Sequence, residues 1–117
     1  MQGQVDAARV CLERGAEVDR ETNDGETALF AACKEGETDA ASLLLARGAD
    51  VEHADEDGYT ALYCACRSGD PVLARMCLER GAEVDRVARA APHTPLYIAC
   101  RNGHRRGAAV HRSRRRR

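Results

Sequence analysis

A chain of 117 residues with 44% apolar and 32% charged side chains has the length of one domain and enough apolar material for a core. No apolar run approaches the roughly 18 residues of a membrane span, and the opening stretch MQGQVDAARVCLERG holds acids and no apolar secretory core, so a membrane partner and export are both excluded as expectations. The net charge of −1 conceals a split, because all 19 acids lie in residues 1–85 whereas residues 86–117 carry ten arginines and no acid.

The chain is periodic. CLERGAEVDR at 11–20 returns letter for letter at 77–86, with LLARGADVEH between them at 44–53, which sets a unit of 33 residues. The other half of the unit follows the same step: DGETALFAACKEG at 24–36, DGYTALYCACRSG at 57–69 and APHTPLYIACRNG at 91–103. The last interval is 34, and the extra residue falls in the loop stretch EVDRVARAAPHTPL, where an insertion is tolerated best.

In chain order, GQVDAARVCLERGAEV predicts a second helix whose first helix is absent. Asp24-Gly25 then predicts a tight turn. Leu29, Ala32 and Cys33, at i, i+3 and i+4, predict a short first helix with Thr27 as its N-cap and Gly36 as its stop. Ala40, Ala41, Leu43, Leu44 and Leu45 predict the second helix of that unit, ended at Gly48.

The next unit repeats the scheme. Asp57-Gly58 makes the turn, Thr60 caps a first helix carrying Leu62, Ala65 and Cys66, and Gly69 ends it. Pro71 suits the first turn of a second helix with Leu73, Ala74, Met76, Cys77 and Leu78, which Gly81 closes. Thr94, Leu96, Ala99, Cys100 and Gly103 predict a third first helix. Beyond it, Gly107, His111 and Arg112 fall where apolar residues are required, so no matching second helix is expected. Incomplete units at both ends point to a piece of a longer array with one edge left apolar.

DGYTALYCACRSGDPVLARMCLERGAEVD resembles an ankyrin repeat, whose pattern runs D-G-x-T-P-L-H-x-A-A-x-x-G, several variable positions, then L-L-x-x-G-A-x-V-[ND]. The resemblance covers about residues 3–104. It departs at Ala28 and Ala61, where the family has the proline that returns as Pro95, and at Phe30, Tyr63 and Tyr97, where the family has histidine. These departures read as packing variants.

The resemblance implies an all-α, ankyrin-type solenoid of stacked helix-turn-helix units joined by short β-hairpin-like loops. The division is an ankyrin-repeat domain over residues 1–104, with a partial repeat at 1–20, full repeats at about 21–53 and 54–86, a partial repeat at 87–104, and an Arg-rich tail at 105–117 expected to lack packed structure. It also implies a non-catalytic protein–protein interaction module, with another protein as partner and no small-molecule substrate.

Six cysteines raise the question of disulfides or metal. Cys33, Cys66 and Cys100 share one repeat position, and Cys11 and Cys77 share another that holds Leu44 in the middle copy, so they read as reduced thiols replacing small apolar side chains. Cys64-x-Cys66 diverges on a helix by about 200° and is not a usual zinc half-site. Cys100 and His104 have helical spacing, but Gly103 is expected to break the helix between them. No metal and no cofactor are expected. Neither a phosphate loop nor a nucleophile beside a base is present in the sequence, and acids such as Glu13, Asp19, Glu79 and Asp85 recur with the scaffold, so no enzymatic activity is expected.

The positions that change between units are the candidates for binding. By resemblance, the hairpin tips and the exposed side of the first helices form the concave partner face. That places Glu21, Asn23, Asp24, Glu26, Lys34 and Glu35 in one unit, Glu56, Asp57, Tyr59, Arg67 and Ser68 in the next, and His93, Arg101 and Asn102 in the third. Tyr59 is the leading anchor candidate, read as an exposed aromatic at a tip, with packing against a neighbouring tip as the competing reading. The face is expected to run from acidic tips at Asp24, Glu26, Glu56 and Asp57 toward basic groups at Arg86, Arg89 and Arg101.

The tail RRGAAVHRSRRRR lacks interleaved aromatics, so any contact with nucleic acid through residues 105–117 would be driven by phosphate alone. The alternative to a plain interaction module is therefore a basic-tailed adaptor with nuclear targeting or non-specific nucleic-acid contact. An intracellular, cytoplasmic setting is expected, with the nucleus as the variant.

Overall fold

The computed structural model of the protein describes residues 2–106, and the arginine-rich stretch from 107 onward, with the register expectations at Gly107, His111 and Arg112, lies outside them. Among the described residues six helices follow one another: α1 (Gln2–Glu13), α2 (Ala28–Glu35), α3 (Thr38–Ala46), α4 (Ala61–Ser68), α5 (Pro71–Glu79) and α6 (Pro95–Arg106). No strand occurs among the described residues. The first helices α2, α4 and α6 pack side by side in one layer, and α1, α3 and α5 pack in a second. The pairs α2/α3 and α4/α5 join the layers.

Local chemistry explains the ends of these short helices. The hydroxyl oxygens of Thr27, Thr60 and Thr94 accept from the backbone N–H of Phe30 at 3.3 Å, Tyr63 at 3.3 Å and Tyr97 at 3.1 Å, each satisfying an otherwise orphaned donor. Gly36 and Gly69 close α2 and α4 with φ of 75°. The Asp70 carboxylate then caps α5 at Leu73 N–H, 3.2 Å away, with Pro71 in the first turn.

The third unit departs from expectation here. Gly103 does not stop its helix, because α6 runs through it to Arg106, and Cys100 and His104 therefore share one helix. After Gly36 and Gly69 the chain meets Glu37 and Asp70 and starts a second helix. Gly103 is followed by His104 and two arginines, with neither a capping acid nor a proline to turn the chain back. Continuing the helix through glycine costs only about 1 kcal/mol relative to alanine.

The loops between units form hairpin-like tips without strand pairing. Thr22 N–H donates to Glu26 O at 2.9 Å and Asp55 N–H to Tyr59 O at 3.0 Å, one period apart. Adjacent tips are tied by Glu56 N–H to Asp24 O at 3.0 Å and Ala90 N–H to Asp57 O at 3.1 Å. Gly25 and Gly58 have φ of 80° and 90°, and a Cβ at Gly58 would stand 2.8 Å from the Arg89 nitrogen. Both positive φ and close stacking require glycine there.

Side-chain bonds also recur between units. Asp19 Oδ1 accepts from Asp50 N–H at 2.9 Å, and Arg80 Nη1 donates to Leu45 O at 2.6 Å. Arg86 Nη1 reaches Glu52 O at 2.9 Å and its carboxylate at 3.4 Å, while Arg89 donates to Glu56 O. The expected basic end of the binding face is corrected accordingly, since Arg86 and Arg89 are engaged in holding one unit to the next.

The core lies between the layers, built from Leu29, Cys33, Leu44, Leu45, Leu62, Cys64, Ala65, Leu73 and Cys77. The stripe expected to bury Leu96, Ala99 and Cys100 is not buried in the same way. Leu29 and Leu62 are each 1% exposed, whereas the equivalent Leu96 is 67% exposed. Ile98 on the same helix is 1% exposed, against an exposed Ala31 at its equivalent in α2. In a stacked array the side facing a neighbour is dry, and among the described residues no helix stacks beyond α6.

All six thiols are free. Cys33, Cys64 and Cys77 are buried and Cys66 partly so, but Cys11 and Cys100 are exposed, which corrects the expectation of an entirely interior set. Those two lie on α1 and α6, which among the described residues pack mainly on one helix each, α3 and α4 respectively. The Cys33 thiol is pushed up by its hydrogen bond with Cys77 and then by burial, and burial pushes Cys64 up to about 12. Both remain unreactive thiols at neutral pH.

Candidate functional site

Each first helix and the tip before it present a stripe at i, i+4 and i+8: Glu26, Phe30 and Lys34 on α2, Tyr59, Tyr63 and Arg67 on α4, and His93, Tyr97 and Arg101 on α6. A tip residue, a ring and a cation therefore recur in register along the first-helix layer. The i, i+4 step places neighbours on one helical face, so each cation folds back over the ring one turn before it.

The geometry is regular. Lys34 Nζ lies 5.8 Å from the Phe30 ring centre, the Arg67 guanidinium 5.8 Å from that of Tyr63, and the Arg101 guanidinium 5.9 Å from that of Tyr97. These are cation–π distances. Arg67 also stands 6.0 Å from the Tyr59 ring, and Tyr59 and Tyr63 stack with centroids 4.7 Å apart. His93 and Tyr97 stack at 4.6 Å. Burial and then the neighbouring Tyr59 raise the Tyr63 hydroxyl above its ordinary value, opposed by the charges of Arg67 and Arg101.

The three cations are not equivalent. Lys34 Nζ is 3.3 Å from Glu26 Oε2, so the first stripe is neutralised internally. Tyr59 and His93 replace Glu26 in the other stripes, and among the described residues neither Arg67 nor Arg101 has a carboxylate partner.

The remaining expected residues divide between the two ends of this face. Glu21, Asn23, Asp24, Glu56 and Asp57 are exposed at the tips. Glu56 is held above the ordinary carboxyl range, first by a hydrogen bond with Asp24 and then by that residue's charge. At the opposite end, Lys34, Glu35 and Ser68 join Gly36, Gly69, Asp70 and Pro71 around an open depression of about 360 Å³. Asn102 is half-buried and donates to Arg67 O at 2.9 Å, tying α6 to α4.

Tyr59 is half-buried between Tyr63 and Arg67 rather than standing free at a tip. The exposed aromatic of this face is Tyr97, 51% exposed beside Leu96, whereas Phe30 and Tyr63 are buried. Sequence reasoning treated positions 30, 63 and 97 as packing variants. A basic residue four places after each ring was the signal that linked them into stripes.

Among the described residues no group of three or more His, Cys, Asp or Glu side chains is arranged to hold a metal ion. Likewise, none of the described helices is long and apolar enough to cross a membrane. The arrangement offers aromatic surface, guanidinium donors and acidic tips for recognition.

The search among curated proteins returned no match. The family model described as ankyrin repeats (3 copies) matches residues 1–88. The match stops before the third first helix, just where the interval between units grows by one residue and the Asp-Gly turn gives way to Ala91-Pro92. Ankyrin repeats serve in general as protein–protein interaction modules without catalytic activity, and three matched copies covering most of the sequence, together with the capped helix pairs stacked in two layers, establish that the chain belongs to the ankyrin-repeat family.

Proposed function

We propose that this protein is a binding module that docks another protein on its first-helix face, using the tips at one end and the Arg67 and Arg101 stripes across the middle. The observation that carries the reading is the regular set of stripes. Helix pairs, caps and core residues repeat, while the tip position of the stripe changes from Glu26 to Tyr59 to His93. Scaffold positions are held to a pattern by packing, whereas a surface that varies between otherwise equal units is free to be shaped by a partner. An intracellular, cytoplasmic setting suits six unpaired thiols.

The test is capture of a partner by the wild-type protein followed by affinity measurement with face variants. Tyr59→Ala with Arg67→Ala, and Tyr97→Ala with Arg101→Ala, are each expected to weaken binding by about 1–2 kcal/mol, as for aromatic and arginine anchors at interfaces. Glu13→Ala with Glu79→Ala, exposed on the second helices α1 and α5, should change binding little. Loss of binding in that control, with both face variants unaffected, would move the partner to the second-helix side.

A further inference from the structure

We infer that the occupant of the first-helix face is an acidic peptide segment whose carboxylates pair with Arg67 and Arg101 while an apolar side chain beside them covers Tyr97 and Leu96. The inference rests on the reading of this face as the docking surface and adds the chemistry of the partner. Its basis is charge complementarity within one small area. Arg67 and Arg101 are the stripe cations without a carboxylate among the described residues, whereas Lys34 in the same row is already paired with Glu26 at 3.3 Å. Both guanidinium groups are held over rings, at 5.8 and 5.9 Å from the ring centres, which restricts their range and leaves N–H donors for a carboxylate acceptor. Ordering a free arginine on binding is costly; here the rings have already restricted it.

The surroundings narrow the partner further. Leu96 and Tyr97 are the exposed apolar groups of α6 and adjoin Arg101 on the same helix, so the acid-binding pair has an apolar contact at its side. Asp24, Glu56 and Asp57 close the tip end of the face with negative charge. A continuous polyphosphate laid along the layer would meet those acids, while a peptide with two spaced carboxylates avoids them. Adjacent packed helices lie about 8–10 Å apart, and three residues of extended chain, at about 3.1–3.4 Å each, cover that distance. Acids at positions i and i+3 of the peptide therefore match the two arginines.

The experiment uses the full chain and a fluorescein-labelled Gly/Ser peptide carrying aspartates three residues apart with a leucine between them, its binding read by fluorescence anisotropy at low and high salt. Wild-type protein should bind it, more weakly as salt rises. Arg67→Gln with Arg101→Gln should weaken binding at least about tenfold, and Arg67→Lys with Arg101→Lys should retain part of it, which separates loss of charge from loss of fold. Arg75→Gln, the same change of charge at an exposed position of the second helix α5, should leave affinity unchanged. A peptide with lysines in place of aspartates and a single-stranded oligonucleotide should both fail to compete.

If the acidic peptide does not bind wild-type protein, or binds the double glutamine variant equally well, the inference is overturned. Should Tyr97→Ala with Leu96→Ala still weaken binding of the captured partner, the docking face stands and its chemistry alone is wrong. Competition by the oligonucleotide would instead assign the arginines to nucleic acid.

Discussion

Helices α4 and α6 carry nearly the same sequence pattern and reach different ends. In α4, Leu62 and Tyr63 are core, Cys64 is buried on the opposite side, and Gly69 stops the helix so that Asp70 and Pro71 start the next. In α6, Leu96 and Tyr97 face outward while Ile98 faces inward, and the helix runs past Gly103. Burial in a stacked array is assigned by the neighbour and not by the residue, so one pattern yields a core where a helix stacks on it and an exposed surface where, among the described residues, none does.

The largest test of this contrast is truncation of the two equivalent leucines. Leu62→Ala leaves a cavity between stacked units and is expected to cost about 2–5 kcal/mol in urea denaturation, whereas Leu96→Ala should fall within about 0.5 kcal/mol of wild type. Similar losses at both sites would mean that the outer side of α6 is covered in solution.

Glycine substitution probes the same comparison through the backbone. Gly58→Ala places a Cβ 2.8 Å from the Arg89 nitrogen at positive φ, and a destabilisation of about 1–3 kcal/mol is expected. Gly103→Ala lies within α6 and should stabilise by up to about 1 kcal/mol. A destabilised Gly103→Ala variant would restore the helix stop that the sequence pattern suggests.

What the sequence reveals, and what it leaves open, follows from which interactions are local. The threonine caps, Gly36, Gly69 and the proline start of α5 are set within a few residues, and each was readable from spacing. The continuation through Gly103 was not, because it depends on an absent signal after the glycine rather than on the glycine itself. The exposure of Leu96 and Cys100 was equally illegible, since their letters match buried residues and only the stacking distinguishes them. For the site, the tips and the terminal cations of the stripes were legible as positions that vary between units. The diversion of Arg86 and Arg89 onto the preceding unit's Glu52 and Glu56 depends on contacts some thirty residues apart in the chain, whereas Tyr59 is covered by Tyr63 and Arg67 of its own stripe, a side-chain packing that spacing alone does not reveal.

Thiol chemistry offers a gentler comparison of interior and edge. Alkylation of the native protein should modify Cys11 and Cys100 fast and Cys33, Cys64 and Cys77 only on unfolding. Rapid labelling of Cys64 would contradict the packing of α4 between its two neighbours.

The smallest expected effect lies at the tips. With Glu56 raised above its ordinary value of 4.5 by Asp24, the folded state holds that proton more tightly than the unfolded state. Stability from this group is therefore lost as pH rises from about 4.5 through the folded midpoint, the reverse of a salt-bridged carboxylate. Asp24→Asn should bring the Glu56 carboxyl midpoint, followed by NMR, back down toward its ordinary value. An unchanged midpoint would assign the shift to desolvation and to the charges of Asp57 and Asp55 instead.

Native-state hydrogen exchange resolved by helix measures the central contrast directly. Amides of α4, flanked by α2 and α6, should exchange only with global unfolding, while those of α6, packed on α4 alone, should open at a free energy several-fold lower. Equal protection of α4 and α6 would show that something covers the outer side of α6, and the neighbour-assigned exposure of Leu96 and Tyr97 would then be wrong.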